Sequence, residues 1–518
     1  MSGVSAGARD GLRSVTRGTA LTLLGTVGFV AESFVYRVLL VRTLSPMLWG
    51  EFSYAIALAG LLTAFGSLGL TSALARSLPY ESDDGERRRM IATAYRIGVP
   101  GAVAAGALLA FLQFGGVGIL GEPEFGLTLL YFGVATVYTL LANLVAAVFQ
   151  GFEDALPNAL FVQVVNPLLF IAFLGVATVG PLAAVGYAGV LAAYAASAGV
   201  SLLGLVLYAR RTLPRYLPAG PRPPGISRRL VGFAAPLFFV SVLGFVASNG
   251  DTLVVGAFDQ GTVGYYTADL ALARLILIGV SSLGYIFLPV TTRLVRSGDR
   301  DAVRIMYATA TKWMVLTSVP FFLVFFFYPA PVLTLVYGGG YAGATAPLQL
   351  LVVGSLALTV VGPASVAQVA YGHTRLLLYN TLLSAGVDLG LAVALVPTFG
   401  LSGAAVAWAA STALYPILSM AELAFLESVH PFRRHYVVPL LAASVPLAIA
   451  FAVVPYSFSL LLLPLLVIAA AGLFLVAVVL TGSIDTGDRL LLEAVERIVG
   501  RRLPFVRGLY ALSRRGRE

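Results

Sequence analysis

Apolar runs of about twenty residues recur along the whole chain, they are nearly devoid of charge, and two of the stretches superpose without a gap. Together these observations predict an all-α integral membrane protein with about 14 transmembrane helices, arranged as two pseudo-symmetric six-helix lobes plus two extra helices. Of the 518 residues 59% are hydrophobic and only 11% charged, which leaves too little polar surface for a water-soluble domain. A spanning segment must satisfy its own backbone, so helices or a closed barrel are the options. The runs are continuous rather than alternating, which decides for helices.

Residues 1–17 are polar, carry Arg9, Arg13 and Arg17, and are followed by no convincing small-residue cleavage site. They read as an uncleaved cytosolic basic arm. Spans then fall at 18–41, 50–75, 91–112, 126–150, 158–179 and 184–208, an N-lobe over 18–208. A basic, Pro-rich connector, 209–229, contains RRTLPRYLPAGPRPPGISRR. Six further spans at 230–257, 262–290, 306–329, 346–371, 376–397 and 400–425 make a C-lobe over 230–428. Two last spans, 437–455 and 459–480, occupy 429–480, and 481–518 is a basic cytosolic tail. In the tail Leu491, Val495, Ile498 and Val499 recur at helical spacing, with Arg489, Arg497, Arg501 and Arg502 available to a polar side. That pattern fits a helix on the inner leaflet, and equally a solvated segment that only fixes topology.

Fourteen spans put both termini on one side. With that side cytosolic, all the basic residues fall in cytosolic segments except Arg37, Arg96, Arg274 and Lys312 within spans and Arg42 in an outer loop. This is a strong positive-inside bias. It accounts for the net charge of +9 without nucleic acid as a partner.

The repeat carries the lobe assignment. Val35–Thr63 (VYRVLLVRTLSPMLWGEFSYAIALAGLLT) maps without a gap onto the hairpin stretch Ser248–Leu277 (SNGDTLVVGAFDQGTVGYYTADLALARLIL) at an offset of 214, Gly50 on Gly264, Phe52 on Tyr266, Ala57 on Ala271 and Leu61 on Leu275. The same offset puts Arg37 on Asp251. Val145–Asp154 matches Val366–Arg375 at an offset of 221, and Thr178–Ala188 matches Thr398–Trp408 at 220. Six helices per copy make the copies parallel, related by an axis along the membrane normal, with a substrate path between them.

Enzymatic machinery is absent from the sequence, and no cofactor is expected. There is no cysteine, which excludes disulfides, zinc thiolates and thiol nucleophiles. Tyr337–Gly343, YGGGYAG, fits a dinucleotide-loop pattern by letter but follows no strand. His373, His430 and His435 fall in short cytosolic segments without metal-ligand spacing, so no metal site is expected. No segment outside the membrane is long enough for a catalytic domain.

The informative residues are the charges at membrane depth: Glu32 and Arg37 on the first helix, Asp251 on the seventh, Asp269 and Arg274 on the eighth, Asp388 on the eleventh. Each costs roughly 2.5–3.5 kcal/mol at a helix centre, so each should face a wet cavity or a partner. These six are the substrate-cavity candidates, with structural ion pairing as the other reading. Arg96 and Lys312 lie near cytosolic helix ends, where snorkelling accounts for them. Asn143, Gln163, Asn166, Asn249, Gln368 and Asn380 suit interhelical hydrogen bonds or a transport role. Arg37 and Asp251 come out ~6–9 Å below the outer surface, and as symmetry mates they can pair across the lobes to close that side. The alternative is local pairing, Arg37 with Glu32. Glu32, Arg274 and Asp388 lie nearer the midplane. Mixed-sign charge there suits an anionic, sugar-bearing substrate better than a hydrophobic cation.

The chain resembles the polysaccharide-exporter branch of the multidrug, oligosaccharidyl-lipid and polysaccharide flippase superfamily. The resemblance is carried by RTLSPMLWGEFSYA (Arg42–Ala55), GLTSALAR (Gly69–Arg76), FQGFED (Phe149–Asp154), DTLVVGAFDQGTVGYYTADLALA (Asp251–Ala273), LPVTTRL (Leu288–Leu294), LVYGGGYAGA (Leu335–Ala344) and FGLSGAAVA (Phe399–Ala407). It implies a flippase that moves oligosaccharides linked to undecaprenyl or dolichyl phosphate carriers outward across the cytoplasmic membrane. The partners implied are that glycolipid, the membrane lipids and Na+ or H+ as a coupling ion, with the protein a monomer. In related precursor flippases cavity arginines contact the pyrophosphate, and by position Arg37 and Arg274 are the candidates for that role here. The alternative within the superfamily is an ion-coupled multidrug exporter. A membrane polymerase or ligase would need a long, charged outer loop, and the outer loops here are short and nearly uncharged.

Overall fold

The computed structural model describes residues 34–112, 123–179, 186–213, 225–432, 434–453 and 462–481, together with Ser483 and Asp488. The basic arm, Glu32, residues 214–224 of the connector, and Leu491, Val495, Ile498 and Val499 of the tail lie outside them. The described residues contain helices and turns and no strand. Nine helices among them are long and apolar enough to cross a membrane, and one of these, Thr374–Leu426, has the length of two spans. By packing the chain divides into two units between Thr267 and Ala268.

In the first unit, α1 (34–43) leads to α2 (Pro46–Gly66), α3 (Leu70–Ser77), α4 (Asp84–Phe111) and α5 (Pro123–Gly151). A π-wound segment, Asn158–Val165, runs into α6 (Asn166–Val179), followed by α7 (Tyr187–Thr212), α8 (Arg228–Phe258) and the start of α9 (Gln260–Leu275). Helix starts follow local chemistry. The Ser45 hydroxyl accepts from the Leu48 amide at 3.3 Å with Pro46 at the first position, and Asp83 accepts from the Gly85 and Glu86 amides at 3.0 and 3.2 Å. Such caps satisfy amides that the first turn leaves without partners.

The expected span 50–75 is not one helix. It breaks between α2 and α3, where Leu68 and Gly69 take φ of 48° and 70°. A side chain on Gly69 would run into the carbonyl of Ala234 and lie 2.6 Å from the amide of Phe238, so the break lets α8 approach backbone to backbone. Glycine is the residue that tolerates both conditions. Around α5 a packed layer joins Leu144, Val148 and Phe149 to Leu70 and Leu74 of α3 and Ile91 of α4. A ring cluster joins Phe52, Phe132, Phe170 and Tyr194 from four helices, with centroids 4.6–6.3 Å apart.

In the second unit α9 ends at Leu275, and α10 (Ile278–Arg296) begins after a tight turn, so the expected span 262–290 is also two helices. The turn has a cause. The Ser318 hydroxyl takes the Ile276 carbonyl at 2.6 Å, while the Ile276 and Leu277 amides turn back to Ala273 and Arg274. α11 (Arg300–Phe327) runs through the middle of the unit, with α10, α13 (Thr345–Val361), α16 (Arg434–Val453) and α17 (Leu463–Leu480) around it. α12 (Pro329–Tyr337) and α14 (Ala364–Tyr371) are short pieces flanking α13. In α15 (Thr374–Leu426) Gly400 takes φ 55° and ψ −132°, which ends one helix and starts another. The two arms run antiparallel: Gly403 packs on Leu395, Asp388 meets Ser411, and Asn380 meets Ser419.

Candidate functional site

In the first unit the two copies of the repeated hairpin touch. A side chain on Gly50 would lie 2.6 Å from the Gln260 carbonyl and 3.1 Å from the Gly264 amide; one on Gly264 would lie 2.8 Å from the Gly50 amide. The hydroxyls of Ser53 and Thr267 are 3.1 Å apart, within hydrogen-bond distance. Both pairs carry the offset of 214 that superposes the copies. On a twofold axis each residue meets its own mate, so the local axis passes through this crossing of α2 and α9.

Of the repeat-equivalent charges, Asp251 is tied to α9 through Tyr266. Asp251 on α8 is 1% exposed; its carboxylate accepts from the Tyr266 hydroxyl and, at 2.7 Å, from the Thr252 amide. The hydroxyl it uses has no counterpart in the first copy, where Phe52 occupies the equivalent place and joins the ring cluster. Arg37, the mate of Asp251, is half-buried, with its Nε 3.5 Å from the Tyr36 hydroxyl. Glu32 lies outside the described residues.

In the second unit Asp388 is buried and accepts from the Ser411 hydroxyl at 3.1 Å. Asp269 is 0% exposed, and neither of its oxygens has a hydrogen-bond partner among the described residues. Arg274 is exposed while Leu272 and Ala273 beside it are buried.

Lys312 does not snorkel. Its side chain is 4% exposed, and the ammonium donates to the Asp488 carboxylate at 2.7 Å and to the Ser483 carbonyl at 2.8 Å, while Trp313 Nε1 donates to the other Asp488 oxygen at 2.7 Å. The reason lies in tertiary packing: Asp488 offers a buried partner that sequence position could not reveal. Glu422 was likewise not singled out, because a carboxylate at the end of a span is ordinary. It accepts from Gln368 Nε2 and, at 2.8 Å, from Asn380 Nδ2. Those two amides, noted from the sequence as polar residues in apolar runs, were the available signal. His373 Nε2 lies 2.8 Å from Glu427, a pairing that spacing alone did not suggest. No group of three metal-binding side chains occurs among the described residues.

A family model described as polysaccharide biosynthesis protein matches residues 15–295. The structure titled "Lipid II flippase MurJ, inward closed conformation" is similar at 13% identity and TM-score 0.69, over 88% of this chain and 97% of that one. A structure titled as the inward-facing conformation of a multidrug resistance MATE family transporter of the MOP superfamily is similar at 14% identity and TM-score 0.59, over 77% and 95%. No curated protein sequence gives a match. At these identities the likeness is one of fold. The chain is a multi-pass membrane protein with the MurJ- and MATE-like fold, and it belongs to the polysaccharide biosynthesis protein family.

Proposed function

We propose that this protein flips a lipid-linked oligosaccharide, carried on a polyprenyl or dolichyl phosphate, from the inner to the outer leaflet by alternating access, for cell-surface polysaccharide or glycoprotein synthesis. The observation that carries the reading is family membership across more than half the chain. It is supported by the similarity to a structure whose title names a lipid II flippase and by arginines at membrane depth. The chain would lie in the cytoplasmic membrane with both termini cytosolic, the orientation favoured by its arginines. Its site would draw on Glu32, Arg37, Asp251, Asp269, Arg274 and Asp388 between two lobes, 18–208 and 230–428. The exposed guanidinium of Arg274 is the group we assign to the phosphate, because a planar fork of donors grips phosphate oxygens in pairs.

The test is cell-surface glycan display in a strain lacking the endogenous exporter. Arg274→Ala should abolish display at normal protein level and Arg274→Lys should restore only part of it. Full display with both variants would remove Arg274 from the site. The second reading, an ion-coupled multidrug exporter, is favoured by the likeness to the MATE structure. Drug resistance conferred without glycan display would select it.

A further inference from the structure

The repeat makes α8 the first helix of the second copy, with the basic connector as the boundary before it. Packing places the helix otherwise: the first unit runs through to Thr267. The opening turns of α8 are held in that unit in three layers. Outermost, Arg229 pairs with Glu81 at 2.8 Å, and Arg96 donates to the Gly225 carbonyl at 2.8 Å. Arg96 therefore does more than snorkel: it holds the end of the connector. Beneath these, Ser227 is 2% exposed and donates its hydroxyl to Glu86 at 2.7 Å and its amide to the Thr93 hydroxyl at 2.9 Å. Innermost, Leu230 is buried in the layer that contains Leu70, Leu74 and Ile91, and the Ala234 carbonyl lies against Gly69.

Each layer has a local cause. Glu86, Thr93 and Arg96 recur at helical spacing, so one face of α4 carries them. Thr93 gives its own proton to the Arg89 carbonyl at 2.7 Å, which leaves its oxygen to accept from Ser227. Ser227 is also the N-cap of α8, its hydroxyl accepting from the Leu230 amide at 3.4 Å. The side chain that starts the helix is thus the one that binds it to α4. Parting α8 from α4 would strand buried donors and acceptors and bring Leu230 into water, and both are costly. α7 ends in the same unit, at Thr212. The connector leaves one body and returns to it.

We propose that the connector-side end of α8 stays fastened to the first unit throughout the transport cycle, through the clasp centred on Ser227. The connector then closes a loop within one moving body and is no tether between lobes. This rests on the alternating-access reading above.

The test is a cross-link that cannot open. The chain has no native cysteine, so Glu81→Cys and Arg229→Cys can be joined by a short bismaleimide, which locks the outermost layer. A protease site placed within 214–224 scores the bridge. Display of newly made surface glycan should equal that of the same variant treated with N-ethylmaleimide. Loss of display after bridging alone, or no bridge at all, would overturn the proposal. Should that pair not express, an oxidised Thr93→Cys and Ser227→Cys pair is read in the same way, with a loss that reduction reverses counting against the clasp. Hydrogen exchange of the full-length protein in phosphatidylethanolamine–phosphatidylglycerol vesicles needs no glycan. Peptides covering 228–235 and 86–94 should be protected alike, and Ser227→Ala should speed exchange in both. Faster exchange in the α8 peptide alone would also overturn the proposal. A wild type that is protected in both peptides but displays no glycan would instead count against the flippase reading.

Discussion

Ser53 and Thr267 place their hydroxyls 3.1 Å apart although 214 residues separate them, and that separation is the offset that aligns the two copies of the repeated hairpin. Three residues earlier in each copy, Gly50 and Gly264 approach backbone to backbone. Symmetry mates meet only on an axis. The contact therefore ties a pattern in the letters to a position in space, at the ends of α2 and α9 that follow the outer loops of the proposed topology.

The crossing is therefore expected to act as a closure. Alanine at Gly50 or Gly264 puts a methyl group against main-chain atoms that cannot swing aside, and overpacking of this kind costs about 1–3 kcal/mol. Either variant should increase labelling of a single cysteine at Ser53 by an impermeant maleimide, roughly tenfold or more. The chain has no native cysteine, so the signal is clean. Labelling equal to that of the Gly50 and Gly264 parent would show that the glycines are only convenient packing.

Tyr266 supplies a hydroxyl to a carboxylate that is 1% exposed. Tyr266→Phe removes that donor and should cost about 1–3 kcal/mol, read as a lower thermal midpoint in detergent. Asp251→Asn added to it should recover part of the loss, since the amide demands less solvation. Wild-type stability in the single variant would place the weight of Asp251 on other partners.

Arg37 and Asp251 occupy equivalent places with opposite charge. If they act together in closing the outer side, Arg37→Asp and Asp251→Arg should each raise Ser53→Cys labelling and the double exchange should lower it again. Identical labelling in all three and in the wild type excludes a joint role.

The Lys312–Asp488 pair is nearly fully enclosed, at 4% and 8% exposure. Removing one partner leaves a buried charge alone, which costs about 3–5 kcal/mol, whereas replacing both by apolar residues of like volume is close to neutral. Lys312→Ala and Asp488→Ala should therefore each lower thermal stability and speed proteolysis of the tail, and Lys312→Met with Asp488→Leu should be milder. A double variant as unstable as the singles would point to the Ser483 carbonyl and Trp313 contacts instead.

Much of the architecture was legible without coordinates, because apolar runs in a membrane admit one solution, the helix. The expected span 126–150 is covered by Pro123–Gly151, and 306–329 lies largely within Arg300–Phe327. The interruptions were not legible. Leu68–Gly69 and Ile276–Leu277 sit inside apolar sequence, and what breaks the helix there is a neighbour: the backbone of α8 in one case, the Ser318 hydroxyl in the other. Of the candidate charges, sequence could say that they were costly in lipid. It could not say that Asp251 meets a tyrosine, that Asp388 meets a serine, or that Asp269 meets no donor among the described residues.

The sequence by itself determined the membrane-spanning class, the succession of helices, the repeat and its offset, since all of these follow from local hydropathy and from letters repeated along one chain. Only the tertiary structure decided that the two copies touch through Gly50, Ser53, Gly264 and Thr267, and that Lys312 is locked to Asp488 rather than reaching for the membrane surface. The physical reason is that a buried polar group is governed by its nearest donor or acceptor within about 3 Å, and that partner can stand hundreds of residues away in the chain.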